Sequence, residues 1–149
     1  AKAQNYLING KQCTPNSKNH DDGHWGRVEI LSVNQSKNAT FLNVITVTDA
    51  DNSDTPSCLA TESNVGLEGA GFESGIVALF ATDRERASSQ ISCTTRGKGS
   101  MDYYVSGVAQ GRWTVTVNGK SIGSFTASEE GGLLTFTAPA GNVVIAPAE

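Results

Sequence analysis

The feature that most constrains the fold is the alternation of apolar and polar side chains in the last third of the chain. Trp113, Val115 and Val117 alternate with two threonines, a period of two that is typical of a strand with one buried and one solvated face. An Asn-Gly pair at residues 118–119 follows directly, and this dipeptide favours the tight turn of a β-hairpin. The segment therefore predicts antiparallel β-structure with Trp113 in the core.

Similar short segments recur along the chain, and none favours a helix. Residues 75–81 are apolar throughout and predict a central strand buried on both faces. The glycine-rich residues 68–71 predict a turn, and the adjacent Tyr103 and Tyr104 must point to opposite faces of one strand. About ten to twelve strands in 149 residues with 16 glycines predict an all-β fold, a two-sheet antiparallel, jelly-roll-like β-sandwich that forms one module over residues 1–149. The other predicted strands are at residues 6–8, 28–31 and 41–47, two short ones within 57–67, and at 101–106, 111–117, 121–125, 133–136 and 143–145.

The charge distribution excludes some partners and suggests another. A net charge of −4 argues against a general nucleic-acid binder, and no apolar stretch is long enough to cross a membrane. Residues 83–120 are nevertheless locally basic, since this segment contains six Lys or Arg residues and only three acidic residues. A local positive patch attracts anionic ligands, although the same charges can be unrelated residues of a solvated surface. The cations predicted to flank neighbouring strands as a rim are Arg84, Arg86, Arg96 and Lys98.

Two groups of residues carry a resemblance to a known family. Residues 26–29 read GRVE and residues 41–44 read FLNV, and residues 111–120 (GRWTVTVNGK) precede residues 131–141 (GGLLTFTAPAG). Their order resembles the C-terminal β-sandwich of heparinase II/III-like polysaccharide lyases. The resemblance implies a non-catalytic module excised from a larger polysaccharide-degrading enzyme, since these lyases carry their catalytic groups on a helical toroid that 149 residues of strands do not encode.

The resemblance implies a carbohydrate-binding module that targets an attached lyase to an acidic polysaccharide, such as chondroitin sulfate, hyaluronan or alginate. Its implied partners are that polysaccharide and a catalytic lyase domain in the parent chain, in a secreted or periplasmic bacterial setting. Exposed aromatic rings stack on sugars, and arginines pair with uronate or sulfate groups. The candidate ligand-binding residues are His24, Trp25, Arg27, Arg84, Arg86, Arg96, Lys98 and Tyr104.

A structural role is the alternative, in which the domain packs against the catalytic toroid and has no ligand of its own. Exposure of Trp25 beside arginines favours the binding module, whereas a large apolar patch on one sheet face favours packing against another domain. No cofactor is required by the sequence, although the oxygen-rich loop with Asp49, Asp51 and Asp54 suggests calcium. An ordinary polar turn is the competing interpretation of that loop. Cys13, Cys58 and Cys93 allow either one disulfide or three reduced thiols.

Overall fold

The computed structural model describes residues 7–8, 11–12, 30–31, 39–46, 51, 58–83 and 85–148. The chain divides into two compact units, residues 1–39 and 40–149, and each is described by itself. In the first unit, β1 (Leu7–Ile8) and β2 (Lys11–Gln12) pair antiparallel, and β1 lies within the strand predicted at residues 6–8. None of the described residues belongs to a helix, so no described segment is a helix able to cross a membrane.

The second unit contains nine strands within the described residues, and they form two sheets. One sheet has five strands in the order β10-β7-β5-β4-β3, and the other has four in the order β6-β11-β8-β9. All neighbouring strands are antiparallel except β5 and β7. These two are parallel because β6, which lies between them in sequence, belongs to the other sheet. The strands are β3 (Cys58–Glu62), β4 (Leu67–Phe72), β5 (Ile76–Ala81), β6 (Ile91–Thr94), β7 (Ser100–Ser106), β8 (Gly111–Val117), β9 (Lys120–Ala127), β10 (Leu134–Pro139) and β11 (Asn142–Pro147).

The two sheets share one apolar core, which confirms the predicted two-sheet β-sandwich. Val77, Leu79 and Val105 from the larger sheet and Val115 and Ile145 from the smaller one are fully buried in the same cluster. Each strand contributes alternate residues, as expected for sheets that each bury one face. Removal of this apolar surface from water is the dominant stabilising contribution to such a fold.

Several local predictions from the last third of the chain are confirmed. Trp113 is 2% exposed, and its indole Nε1 donates to the carbonyl oxygen of Ala109 at 2.9 Å. Tyr103 is buried, while Tyr104 is exposed on the other side of β7. The turn between β8 and β9 has positive φ at both Asn118 (50°) and Gly119 (77°), the conformation that makes Asn-Gly favourable in two-residue hairpins.

The predicted turn at residues 68–71 is wrong, because these residues lie inside β4. A Cβ on Gly69 would clash with the carbonyl oxygen of Ala78 in the neighbouring strand. Glycine is therefore required at this position by the close approach of two strands rather than by a turn. The turn lies earlier, where Ser63 Oγ accepts from the backbone N–H of Leu67 at 2.9 Å.

The prediction for residues 75–81 is half correct. β5 lies third of five strands and is therefore central, but it is not buried on both faces. Val77 and Leu79 are fully buried, whereas Ile76 and Phe80 are 44% and 49% exposed. Only one side of this sheet is covered by the other sheet, and no helix among the described residues covers the second side.

The strands predicted at residues 28–31 and 41–47 are not found in the described residues of these segments. Residues 30–31 and 39–46 lie outside any strand and are exposed. Ile45, for example, is 86% exposed despite its branched side chain. Strand propensity reflects packing against neighbours on a half-buried sheet, so it does not produce a strand where those neighbours are missing.

Candidate functional site

Apolar side chains occupy the middle of the outer side of the five-stranded sheet, a side that in an antiparallel sheet is usually polar and solvated. Exposed Glu68 and Asp102 lie beside them, opposite Phe80 and Ile76. Phe72 lies opposite Ile76 across β4 and β5, and Ala78 and Phe80 follow Ile76 at alternate positions on the same side. Phe72 and Ala78 are half-buried, and Ile76 and Phe80 are exposed. We call these four side chains the apolar face, because together they present a surface suited to contact rather than to solvation.

One end of the apolar face is bordered by an irregular segment of the same unit. Residues 40–43 line an open groove of about 370 Å³ together with Phe80 and the neighbouring Glu68, Ala81 and Thr82. Phe41 and Leu42 in this segment are 48% and 45% exposed. Apolar surface therefore continues beyond the strands at this end of the sheet.

The outer side of the four-stranded sheet is different in composition. The register places hydroxyl side chains from all strands except β11 on this side, with Arg112 among them. Thr114 Oγ1 donates to the carbonyl oxygen of Ala146 at 3.2 Å in an exposed position. We call this side the hydroxyl face; its Ser and Thr residues are Ser92, Thr94, Thr114, Thr116, Ser121, Ser124 and Thr126.

Tyr104 lies at the border of the apolar face, in a second groove along β7 and β10. It is 45% exposed and lies between Ala78 on β5 and Thr135 on β10. Two residues away, Asp102 Oδ1 accepts a hydrogen bond from Thr137 Oγ1 at 2.7 Å. These residues and Phe125 line an open groove of about 560 Å³.

The two strands that carry this groove are held together from their inner side. Tyr103 and Phe136 are stacked with ring centroids 4.7 Å apart and planes within 8°, and Phe125 packs on Phe136 at 5.5 Å. The hydroxyl of Tyr103 donates to the carbonyl oxygen of Pro139 at 3.1 Å and shares a 2.8 Å hydrogen bond with Thr95. Both the ring and the hydroxyl of Tyr103 are therefore fixed in the core, and they hold β7 and β10 in place beneath the exposed side chains of the groove.

The predicted cationic rim is not assembled in one place by the described residues. Arg86 lies in the loop after β5, where its Nη2 donates to the carbonyl oxygen of Glu130 at 2.9 Å. Arg96 and Lys98 lie in the loop between β6 and β7, beside the first residues of β7, which is the opposite end of the sandwich. Arg96 lines a cleft of about 250 Å³ with Leu59, Thr61 and Thr94.

Several candidate residues lie outside the described residues, and their roles stay predictions. They are His24, Trp25, Arg27, Arg84, Asp49 and Asp54. Asp51 is described and is an exposed turn residue. Within the described residues, no three His, Cys, Asp or Glu side chains cluster as metal ligands. Because two of the three predicted ligands are not described, calcium also stays a prediction.

The two described cysteines are free thiols in different surroundings. Cys58 is exposed at the start of β3, and Cys93 is buried in β6. Burial raises the pKa of the Cys93 thiol to about 11, since the apolar core disfavours the thiolate. Burial also raises the pKa of Tyr103, against the lowering effect of its hydrogen bond with Thr95. Neither group is poised for chemistry at neutral pH.

Sequence reasoning missed both the apolar face and the second groove. The apolar run at residues 75–81 contained the signal for the first, because an antiparallel sandwich without helices leaves one face of a central strand uncovered. An apolar outer residue in such a strand therefore indicates a contact surface. The second groove combines β7 with β10, which are distant in sequence, so no local pattern indicates it.

Comparison with known proteins agrees with this geometry. The family model described as the heparinase II C-terminal domain matches residues 67–147, more than half of the chain. The matched range includes residues 111–120 and 131–141, which carried part of the resemblance, but not residues 26–29 and 41–44. A search of curated proteins gave no match. The family indicates a non-catalytic domain associated with a polysaccharide lyase. With its two-sheet fold and its matched strands, the chain belongs to the heparinase II C-terminal domain family.

Proposed function

We propose that this chain is the accessory domain of a lyase that degrades an acidic polysaccharide, and that it packs against another domain of that enzyme through the apolar face. The observation that carries the proposal is the exposure of Ile76 and Phe80 on the outer side of a central strand. Exposed apolar surface on the face of a sheet is typical of an interface. The proposal adopts the structural alternative that the sequence left open.

The interface would stabilise the structure of the catalytic domain through contact with this domain. Contacts between domains of one chain resemble protein–protein interfaces, in which a few large apolar side chains contribute most of the binding free energy. Phe80 and Ile76 are the side chains of that type on the apolar face.

The test compares Phe80→Glu with Thr114→Glu in the intact lyase. Both positions are exposed, one on the apolar face and one on the hydroxyl face. We expect Phe80→Glu to separate the thermal transition of this domain from that of the remaining enzyme, because a buried charge at the interface is costly. Thr114→Glu should leave a single transition. Equal behaviour of the two variants would contradict the packing role.

Direct binding of an acidic polysaccharide is a second candidate, supported by Arg96 and Lys98 in one exposed loop. Chondroitin sulfate, hyaluronan and alginate are the polymers proposed. We expect salt-sensitive retention of the chain by one of them in affinity electrophoresis, since ion pairing with exposed cations is screened by salt. Retention should fall in Arg96→Gln and Lys98→Gln but not in Arg112→Gln. Absorbance at 235 nm should not rise, because no unsaturated product is formed.

The location of the protein and its calcium dependence are proposed on the resemblance and the sequence alone. A secreted or periplasmic bacterial setting follows from the access that a lyase needs to an external polymer. Calcium at Asp49, Asp51 and Asp54 would be seen as a rise in melting temperature on addition of the ion, since a ligand that binds only the folded state stabilises it. The absence of any such rise in melting temperature would support the alternative interpretation, in which this loop is an ordinary polar turn.

A further inference from the structure

We infer that the groove lined on the outer side of β7 and β10 by Asp102, Tyr104, Thr135 and Thr137 binds an uncharged sugar ring. The inference rests on the proposed function, because it takes the polymer that the domain meets to be a polysaccharide. It adds a site on the outer side of the β7–β10 pair, next to the apolar face and separate from Arg96.

The shape and the apolar part of the groove suit a small ring. Its volume of about 560 Å³ lies in the range of small-ligand sites. The residues beside Tyr104 on its own side are Ala78 and Thr135, which are small and leave the exposed ring accessible. An exposed aromatic ring with a polar tip is suited to stacking on the apolar side of a sugar.

The hydrogen-bonding groups of the groove match those of a sugar. Asp102, Thr135 and Thr137 are all exposed, and Thr135 and Thr137 lie on the same side of β10. The 2.7 Å bond from Thr137 Oγ1 occupies one oxygen of the Asp102 carboxylate, and a carboxylate has capacity for further donors. Sugar hydroxyls are such donors, and they can also accept from the threonine hydroxyls.

The charge of the groove decides the class of sugar. The groove is lined by one carboxylate and by no Lys, Arg or His residue. A uronate or sulfate group would therefore meet the like charge of Asp102 without compensation. The groove favours an uncharged ring, such as a hexose or an N-acetylhexosamine.

The surroundings of the groove suit a polymer in which uncharged and acidic rings alternate. Lys98 precedes Asp102 by four residues, and a chain that rises by about 3.3 Å per residue keeps the two Cα atoms within about 13 Å. An acidic ring next to the bound uncharged one would therefore lie within reach of a cation. Stacking of Tyr103 on Phe136 at the inner side of β7 and β10 holds the two strands together, so binding on their outer side does not require the groove to form first.

The test is a titration of the 149-residue chain followed by amide chemical shifts, with chitohexaose and cellohexaose as uncharged probes and a hyaluronan hexasaccharide as the alternating one. We expect an uncharged probe to shift the amides of residues 102–104 and 135–137. Tyr104→Ala should weaken its binding by about tenfold or more, as for a central aromatic contact. Asp102→Asn should weaken it several-fold, and Thr114→Ala should leave it unchanged.

Three results would overturn the inference. The first is the absence of any amide shift at residues 102–104 and 135–137 with either uncharged probe up to its solubility limit. The second is unchanged affinity for the uncharged probe in Tyr104→Ala. The third is binding of the hyaluronan hexasaccharide at the groove when neither uncharged probe binds there. Each is separate from the failure of the packing role, which is measured by Phe80→Glu in the intact lyase. The amide spectrum of each variant also shows whether it is folded, and exposed Tyr104 can be replaced without opening the core.

Discussion

The outer sides of the two sheets of the sandwich differ in composition. The hydroxyl face of the four-stranded sheet carries Ser and Thr side chains with Arg112, as expected for a surface in water. The apolar face of the five-stranded sheet carries Phe72, Ile76, Ala78 and Phe80 in the same alternating positions. The inner sides of both sheets are alike and form one core. Folding alone therefore explains the inner sides and the hydroxyl face, whereas the apolar face is the surface for which we propose a partner domain.

The largest expected effect is a loss of stability on substitution of Gly69, where β4 and β5 approach closely. These two strands carry the apolar face. Gly69→Ala places a Cβ against the backbone of Ala78, and we expect a loss of about 3 kcal/mol in the free energy of unfolding. Gly71→Ala is the matched control, because its Cβ would make an ordinary contact of 3.5 Å with Thr61 Oγ1. Its loss should stay below about 1 kcal/mol in urea unfolding. Equal losses would contradict the pairing of Gly69 with Leu79 across these two strands.

The next effect is the pH dependence of stability caused by Cys93, which lies in the core that both sheets share. The pKa of Cys93 is raised from 9.0 to about 11 in the folded chain, so the unfolded chain releases this proton first as the pH rises. The free energy of unfolding should therefore be intact below pH 9 and fall between pH 9 and about 11, by up to about 1.4 kcal/mol per pH unit.

Urea unfolding at a series of pH values measures this dependence. In Cys93→Ala the slope above pH 9 should be smaller, although the raised pKa of Tyr103 contributes at the upper end. A slope that does not change in Cys93→Ala would show that this thiol is not desolvated. Cys58, whose thiol is exposed, provides the control as Cys58→Ala.

The smallest effect compares the two outer sides directly in the isolated chain. Phe80→Ser and Thr114→Val should each change the free energy of unfolding by less than about 1 kcal/mol, because both side chains are exposed. Their effects on binding of a hydrophobic dye should differ. Phe80→Ser should reduce dye fluorescence, and Thr114→Val should leave it unchanged or raise it slightly. A large destabilisation by Phe80→Ser would mean that this side chain belongs to the core.

The fold class could be predicted from the sequence because its signals are local. Trp113, with its alternating neighbours, and the Asn118-Gly119 turn each specify structure within a few residues. The turn predicted at residues 68–71 failed because the reason for Gly69 is an approach by a strand seven to twelve residues later. The strand predicted at residues 41–47 failed over residues 41–46 because branched residues alone do not supply a neighbouring strand.

The candidate site could be predicted only in part, because it depends on which strands become neighbours. The opposite orientations of Tyr103 and Tyr104 followed from the period of a strand. The proximity of Asp102 to Thr137 could not be predicted from that period. These residues are 35 positions apart and meet only through the pairing of β7 with β10. The separation of Arg86 from Arg96 likewise depends on the direction of each strand and not on their distance in sequence.

The most direct test of the packing role is the reactivity of thiols placed on the two outer sides. Ile76→Cys and Thr114→Cys would be alkylated in the isolated chain and in the intact lyase, with the rate at each site resolved by mass spectrometry. If another domain covers the apolar face, alkylation at position 76 should be at least about tenfold slower in the intact lyase, and the rate at position 114 should not change. Equal rates at position 76 in the two proteins would contradict the packing of another domain on the apolar face.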